Sequence, residues 1–301
     1  MIARGTLLAA FAHPDDESFG PAGTLALYAS RGYAVHLICA TRGEAGTPDP
    51  RIGPVEDLGA LREEELRCAA RILGLQGLHL LGYRDSGMPG SPDAEHPQAF
   101  IRAPLEEVVG RLVALIRELR PDVVVTFDPY GGYGHPDHIH MHRAMVEAFH
   151  RAGDPTAFPE HFARGLRPHR PARLYYTTFH LGPLRLLLTL LRLLGYDPQR
   201  FGRNRDIDLE AALRAALPVT TRIDIRAVLD RKEQAMACHR SQGGGWMRSF
   251  RLPRFLRRRL WGFETFHRAI PPFRPGEPIE RELFPEQASS SPALFTRSRP
   301  R

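Results

Sequence analysis

Thr6-Leu7-Leu8-Ala9-Ala10-Phe11-Ala12 runs directly into His13-Pro14-Asp15-Asp16-Glu17. The first seven residues form a continuous apolar run, the pattern of a strand buried on both faces. Pro21 to Arg31 follows with helical spacing (Leu25, Ala26, Tyr28, Ala29) and Gly32 as its stop. Ala34 to Ala40 is a second apolar run. The order is β-α-β, the unit of a parallel sheet with a right-handed crossover.

The pattern repeats downstream. Leu58 to Leu73 is a helix stopped by Gly74, and Leu78 to Leu81 a short strand. Ala103 to Leu119 is a long amphipathic helix, Val123 to Phe127 a strand, and Asp137 to Ala152 a helix. Residues 1–152 therefore predict a Rossmann-like α/β fold, a mostly parallel open sheet flanked by helices. Ligands of such sheets bind at the carboxyl ends of the strands, near the topological switch point. Beyond 152, Arg173 to Phe179 and Pro218 to Ile225 predict strands, and Asp224 to His239 a helix. The expected organisation is one domain over 1–245, with a Leu- and Arg-rich insertion at about 181–205. A basic, Pro-rich extension over 246–301 follows, and its tail after Pro271 is expected to be partly disordered.

The chain has 301 residues, 43% hydrophobic and 25% charged, which excludes collagen-like and wholly disordered chains. Its charge of +7 comes from 41 Lys+Arg against 34 Asp+Glu, too mild a balance to argue for nucleic acid. Lys232 is the one lysine; every other basic residue of that count is Arg. The three cysteines, Cys39, Cys68 and Cys238, are odd in number and widely spaced. They predict no disulfide framework and a cytoplasmic setting. Leu181 to Tyr196 is too short and too charged to span a bilayer. The expected role of that stretch is packing on the domain or at a subunit contact, with a membrane contact as the sharper alternative.

Two segments carry chemistry. In His13-Pro14-Asp15-Asp16-Glu17, His13 and Asp16 are three apart across a Pro-fixed turn and can face one cation, leaving Asp15 free. Asp15 and Asp16 can instead cap the helix that follows. The second segment, Asp128-Pro129-Tyr130-Gly131-Gly132-Tyr133-Gly134-His135-Pro136-Asp137-His138, also stands directly after a core strand. His138 can complete a three-ligand catalytic metal site with His13 and Asp16. His142, at helical spacing from His138, is the alternative. His135 is placed to donate to a substrate, with Asp137 to orient or tune it.

These two segments resemble the signature motifs of the PIG-L / LmbE-like N-acetylglucosaminyl deacetylases. Gly23-Thr24, Arg42-Gly43-Glu44, Arg62-Glu63-Glu64-Glu65-Leu66 and Gly82-Tyr83-Arg84-Asp85-Ser86-Gly87-Met88 agree, the last resembling the thiol-pathway members in particular. Lys232, Ala235 and His239-Arg240-Ser241-Gln242 resemble the family's ending. The resemblance implies a zinc-dependent hydrolase that removes the N-acetyl group from an N-acetylglucosamine conjugate, releasing acetate and a free amine. One Zn²⁺ sits on His13, Asp16 and His138, although such donors also accept other divalent metals. Asp15 is the general base, and His135 or Tyr133 stabilises the oxyanion. The proton for the leaving amine comes from Asp15 or His135. Arg62, Asp85, Met88 and His239 are implied to face the substrate, a small amino-sugar conjugate. An ion pair of Arg62 with Glu65 is the alternative for that residue.

Three other readings compete. An amidase acting on a thiol S-conjugate or another N-acyl substrate shares the same chemistry. A nucleotide-binding oxidoreductase lacks its G-x-G-x-x-G turn, because His-Pro-Asp-Asp follows the first strand. A non-catalytic sugar-binding Rossmann-like module has no use for Asp15.

Overall fold

The computed structural model describes residues 3–178, 181–202, 204–245 and 253–284. The first strand, β1, spans Thr6–Phe11, and all of it but Thr6 is buried. A one-turn helix α1 (Asp16–Phe19) and then α2 (Ala22–Ser30) lead to β2 (Ala34–Thr41), buried along its whole length. Helix α3 (Leu58–Leu73) is capped by Asp57, whose side chain accepts from the Ala60 amide, and ends at Gly74 with φ 78°. Then come β3 (Gly77–Tyr83), α4 (Leu105–Leu119), β4 (Val123–Thr126), the short α5 (Gly131–Gly134) and α6 (Pro136–Arg151).

The later elements are β5 (Arg173–Thr177), α7 (Leu181–Leu193), α8 (Leu209–Ala215), β6 (Thr221–Asp224), α9 (Leu229–Cys238), α10 (Arg254–Trp261) and β7 (Phe263–Ile270). The seven strands form one sheet in the order β3-β2-β1-β4-β5-β7-β6. The first five are mutually parallel; β7 runs antiparallel to both β5 and β6. The chain leaves β1 towards β2 on one side and towards β4 on the other. The carboxyl ends of β1 and β4 are therefore the switch point, and both motifs begin there.

Two expectations need correction. Residues 263–284 are part of the domain and not a separate extension. β7 alternates, with Glu264, Phe266 and Arg268 turned inward. Beyond Pro271, Glu280 accepts from Thr221 Oγ1, Tyr175 Oη and Arg173 Nη1, and Leu283 is fully buried. The rest of the tail, 285–301, lies outside the described residues. Next, Cys68 and Cys238 form a disulfide, with Cα atoms 6.0 Å apart across a sequence separation of 170. They meet because α3 packs along α9, a proximity that spacing alone does not encode. The cysteine count is thus no argument for a reducing compartment; Cys39 is free and buried. The apolar stretch at α7 buries Leu188 but leaves Leu193 and Leu194 exposed. Among the described residues, no helix is long and apolar enough to cross a membrane.

Candidate active site

His13 stands two residues beyond β1 and is buried. Its Nε2 lies 3.2 Å from Asp137 Oδ2 and 3.3 Å from Asp85 Oδ1, so this nitrogen carries the donated proton. His138, in the first turn of α6, directs Nδ1 at the Gly131 carbonyl, 3.0 Å away, and donates there. Gly131 has φ 69°, and a Cβ on it would stand 2.7 Å from the His138 Cβ, so the close approach requires glycine. Phe127 stacks on the other face of the imidazole, centroids 3.9 Å apart.

With both tautomers fixed in this way, the remaining nitrogens, His13 Nδ1 and His138 Nε2, point at each other 3.1 Å apart. Two lone pairs at this distance need a proton or a metal ion between them. The Asp16 carboxylate completes the triangle, 3.5 Å from His13 Nδ1 and 3.3 Å from His138 Nε2. Metal–ligand bonds of 2.0–2.1 Å in tetrahedral geometry separate donor atoms by about 3.3 Å. The three donors therefore fit a zinc-sized cation, and Asp137 and Asp85 behind His13 supply the carboxylate support such ligands carry. His13, His135 and His138 also bring one ring nitrogen each within 4.8 Å of one another. His135 Nδ1, however, accepts from the Asp137 amide as the cap of α6, and burial holds its pKa well below the usual range. Asp16 is the better third donor. Burial alone would raise its carboxyl, but when the nitrogens facing it carry a proton in place of a metal ion, the charge of His138 and hydrogen bonds from both imidazoles bring it well below the usual value.

Asp15 does not join this triangle. Its φ of 127° lies where non-glycine residues are strained, at a cost of about 1–3 kcal/mol. Three contacts hold the turn. The Asp15 amide donates to Glu17 Oε2, and Arg62 from α3 donates to Asp15 Oδ2 at 3.1 Å and to the Pro14 carbonyl at 2.7 Å. Burial raises the Asp15 carboxyl to about 6, against the pull of Arg62. Its side chain keeps 18% exposure, next to Asp16, which lines the cavity.

The cavity holds about 550 Å³ and is lined by Asp16, His138 and Tyr133 on one side and by Lys232, Glu264 and Phe266 on the other. Tyr133 packs edge-on to His138, centroids 5.0 Å apart, and burial raises its phenol so that it stays protonated. A larger cavity lies alongside, away from the histidines.

Several expected roles change. Asp137 accepts from His13 and from the Ser86 amide, so it orients His13 and not His135. Its Oδ1 is buried without a partner. Arg62 is buried and spends its guanidinium on Gly43, Pro14 and Asp15, so it does not face a substrate. The ion pair with Glu65 is not made either, because Glu65 accepts from the Ser241 amide and hydroxyl. Asp85 turns to His13 and accepts from the Gly87 amide. His239 is fully buried and donates from Nε2 to Glu17 at 2.8 Å. Met88 is half-buried and lines neither cavity. His142 donates to the Phe127 carbonyl, away from the donor triangle.

The sequence reading also missed a pair. Lys232 donates to Glu264 and to the Gly20 carbonyl, both at 2.6 Å. Glu264 in turn accepts the Gly23 and Thr24 amides, the free donors in the first turn of α2. The available signal was Lys232 itself, the one lysine in an arginine-rich chain.

The profile of the PIG-L family, described as GlcNAc-PI de-N-acetylase, matches residues 8–149. Curated relatives share the name 1D-myo-inositol 2-acetamido-2-deoxy-alpha-D-glucopyranoside deacetylase. One from Acidothermus cellulolyticus is 36% identical over 271 residues, covering 87% of each chain. One from Streptomyces avermitilis is 37% identical, covering 92% of this chain and 96% of its own. Among solved structures, N,N'-diacetylchitobiose deacetylase from Pyrococcus horikoshii superposes with a TM-score of 0.60 at 23% identity, covering 88% and 83%. A 4-carboxy-2-hydroxymuconate hydratase from Pseudomonas putida superposes at 0.58 and 20%, covering 90% and 98%; at this distance the likeness speaks for the fold alone. The full-length relatives and the two motifs at the switch point agree: this chain belongs to the PIG-L family of metal-dependent N-acetylglucosaminyl deacetylases.

Proposed function

We propose that the chain hydrolyses the acetamide of N-acetylglucosaminyl-inositol, the conjugate named in its curated relatives, with zinc held by His13, Asp16 and His138. The observation that carries this reading is the donor triangle of 3.1–3.5 Å with a raised carboxyl, Asp15, beside it. Bound zinc supplies Lewis acidity, polarising the acyl oxygen and acidifying water at neutral pH. Asp15 accepts the proton of the attacking water, its carboxyl matched to the working pH and aimed by Arg62. The protonated phenol of Tyr133 donates to the acyl oxygen as negative charge develops there. His135, neutral and tied by Nδ1 to the Asp137 amide, offers Nε2 as a second donor. A neutral imidazole is a poor acid, so Asp15 returns the water's proton to the leaving amine.

Acetate and free amine measured together on the zinc-loaded enzyme test the reading. Equal amounts are expected from N-acetylglucosaminyl-inositol. His13→Ala, Asp16→Ala and His138→Ala should each lower zinc stoichiometry and abolish release. No acetate from the zinc-loaded parent would overturn the reading.

A further inference from the structure

Arg62, Glu65 and Cys68 stand three residues apart along one side of α3, and each meets a different partner. Arg62 holds Asp15 Oδ2 and the Pro14 carbonyl. Glu65 accepts from the Ser241 amide at 2.9 Å and from its hydroxyl at 2.6 Å. Cys68 is joined to Cys238. The facing segment is equally compact. Cys238 ends α9, His239 follows and donates to Glu17, and Ser241 comes two residues later. His239 Nδ1 is buried without a partner, so the bond to Glu17 is what places the ring. Glu17 in turn accepts the Asp15 amide. The disulfide is thus the covalent end of a seam between α3 and the end of α9. The other end of that seam grips Asp15 twice, by its amide through Glu17 and by its carboxylate through Arg62.

The same disulfide faces outward. Cys68 and Cys238 are both half-buried and line a groove of about 600 Å³, apart from the donor triangle. Arg67, Arg71 and Arg240 line it too, with Glu64 and Glu65 as its carboxylates. Glu65 is spent on Ser241, and Arg67 pairs with Glu63. Arg71, one helical turn beyond Cys68, and Arg240, two residues beyond Cys238, bring positive charge to the groove. Thiol exchange needs access for an anionic nucleophile and a cation near the thiolate that leaves, and this groove offers both.

We propose that Cys68–Cys238 is an exchange site for a small, carboxylate-bearing thiol, and that opening it loosens the hold on Asp15. The consequence for turnover rests on the reading of Asp15 as general base. The incoming thiolate attacks Cys238 Sγ, a new S–S bond forms there, and the Cys68–Cys238 bond breaks. Cys68 leaves as the thiolate and takes a proton from water. It is the better leaving sulfur because Cys238 sits at the negative end of α9, whereas Cys68 has Arg71 one turn away. A second thiolate then releases Cys238 as a thiolate, and the two small thiols depart as their own disulfide. The enzyme gains two electrons and the thiols lose two. Without the covalent end, His239 and Ser241 are free to draw away from Glu17 and Glu65.

The full-length, zinc-loaded enzyme is incubated with reduced glutathione and desalted, and thiols, mass, zinc and kinetics are read on one preparation. Two new thiols per chain, or one glutathionyl group on Cys238, are expected in protein that stays folded by circular dichroism. The zinc content and KM should hold while kcat falls about 10-fold or more, as for a displaced catalytic group. Oxidised glutathione should restore kcat. Cys68→Ser should start at the lowered kcat and ignore both reagents; the parent cycled between its two states needs no variant. The diethyl ester of glutathione, which lacks the carboxylates, should react several-fold more slowly. A disulfide that resists glutathione in the folded enzyme overturns the proposal, as does one that opens with kcat unchanged. Equal rates for glutathione and its ester overturn the carboxylate-bearing class. Opening by thioredoxin alone would make the partner a protein and overturn the small-thiol site. No acetate from the untreated parent would overturn the deacetylase reading instead, while the thiol count and mass still report on the exchange.

Discussion

Asp15 and Arg62 show how one residue's placement decides another's chemistry. Asp15 is strained, partly buried and raised to about 6, and Arg62 is the cation that opposes the rise. In Arg62→Lys a single ammonium cannot serve Gly43, Pro14 and Asp15 together. Weaker opposition lets burial push the Asp15 carboxyl higher still. A general base works only when deprotonated, so the acidic limb of kcat/KM should move to higher pH, with rate recovering on the alkaline side. An unshifted limb would mean that Arg62 does not act through Asp15. The approach of His13, Asp16 and His138 to one another was legible because both of their segments begin directly after a buried strand, at the switch point where β1 and β4 end. The roles first given to Arg62, Asp85 and His239 were not legible. A polar side chain at a loop reads the same whether it meets a substrate or a buried partner. His239 finds Glu17 across 222 residues of sequence.

At the scale of elements, the parallel half of the sheet and the edge strand β6 were readable, and β7 between them was not. β1, β2 and β4 are apolar runs with both faces covered. β7 places Glu264 and Arg268 at inward positions, which breaks the apolar alternation that marks a strand. Those charges are tolerated because Glu264 caps α2 and holds Lys232, while Arg268 meets Glu277 and Glu280. The α3–α9 pair carries its own prediction. Its disulfide closes a loop of 170 residues, and native disulfides typically contribute 2–5 kcal/mol, about 5 for a loop of this length. Reductant should therefore lower the urea midpoint of the parent protein and leave that of Cys68→Ser unchanged. An identical midpoint with and without reductant would mean that the bond contributes nothing.

Across the whole molecule, the segment after β7 ties the far edge of the sheet back to its centre. Glu280 bonds Thr221 on β6, Tyr175 and Arg173 on β5 and Arg268 on β7, while Leu283 and Phe284 pack near Tyr28 on α2. Burial alone would raise the Glu280 carboxyl, but the hydrogen bonds from Thr221, Arg268 and Tyr175 hold it below its ordinary 4.5. A depressed carboxyl stabilises the fold above its unfolded pKa, and that stability is lost as pH falls through the folded value. Glu280→Gln should therefore be less stable than the parent near neutral pH and lose less on acidification below about 4.5. Urea midpoints across the acid range check this; parallel curves would mean that Glu280 does not set the acid limit.

The account's central claim is that Asp15 does chemistry beside a metal site to which it does not belong. Zinc stoichiometry and acetate release, measured on one preparation of Asp15→Asn, test it most directly. Asn keeps the size and the capping capacity of Asp but cannot take a proton from water. The account predicts one zinc per chain, as in the parent, and a rate lower by about 10²–10⁴-fold on N-acetylglucosaminyl-inositol. Parental activity in that zinc-loaded variant would contradict it.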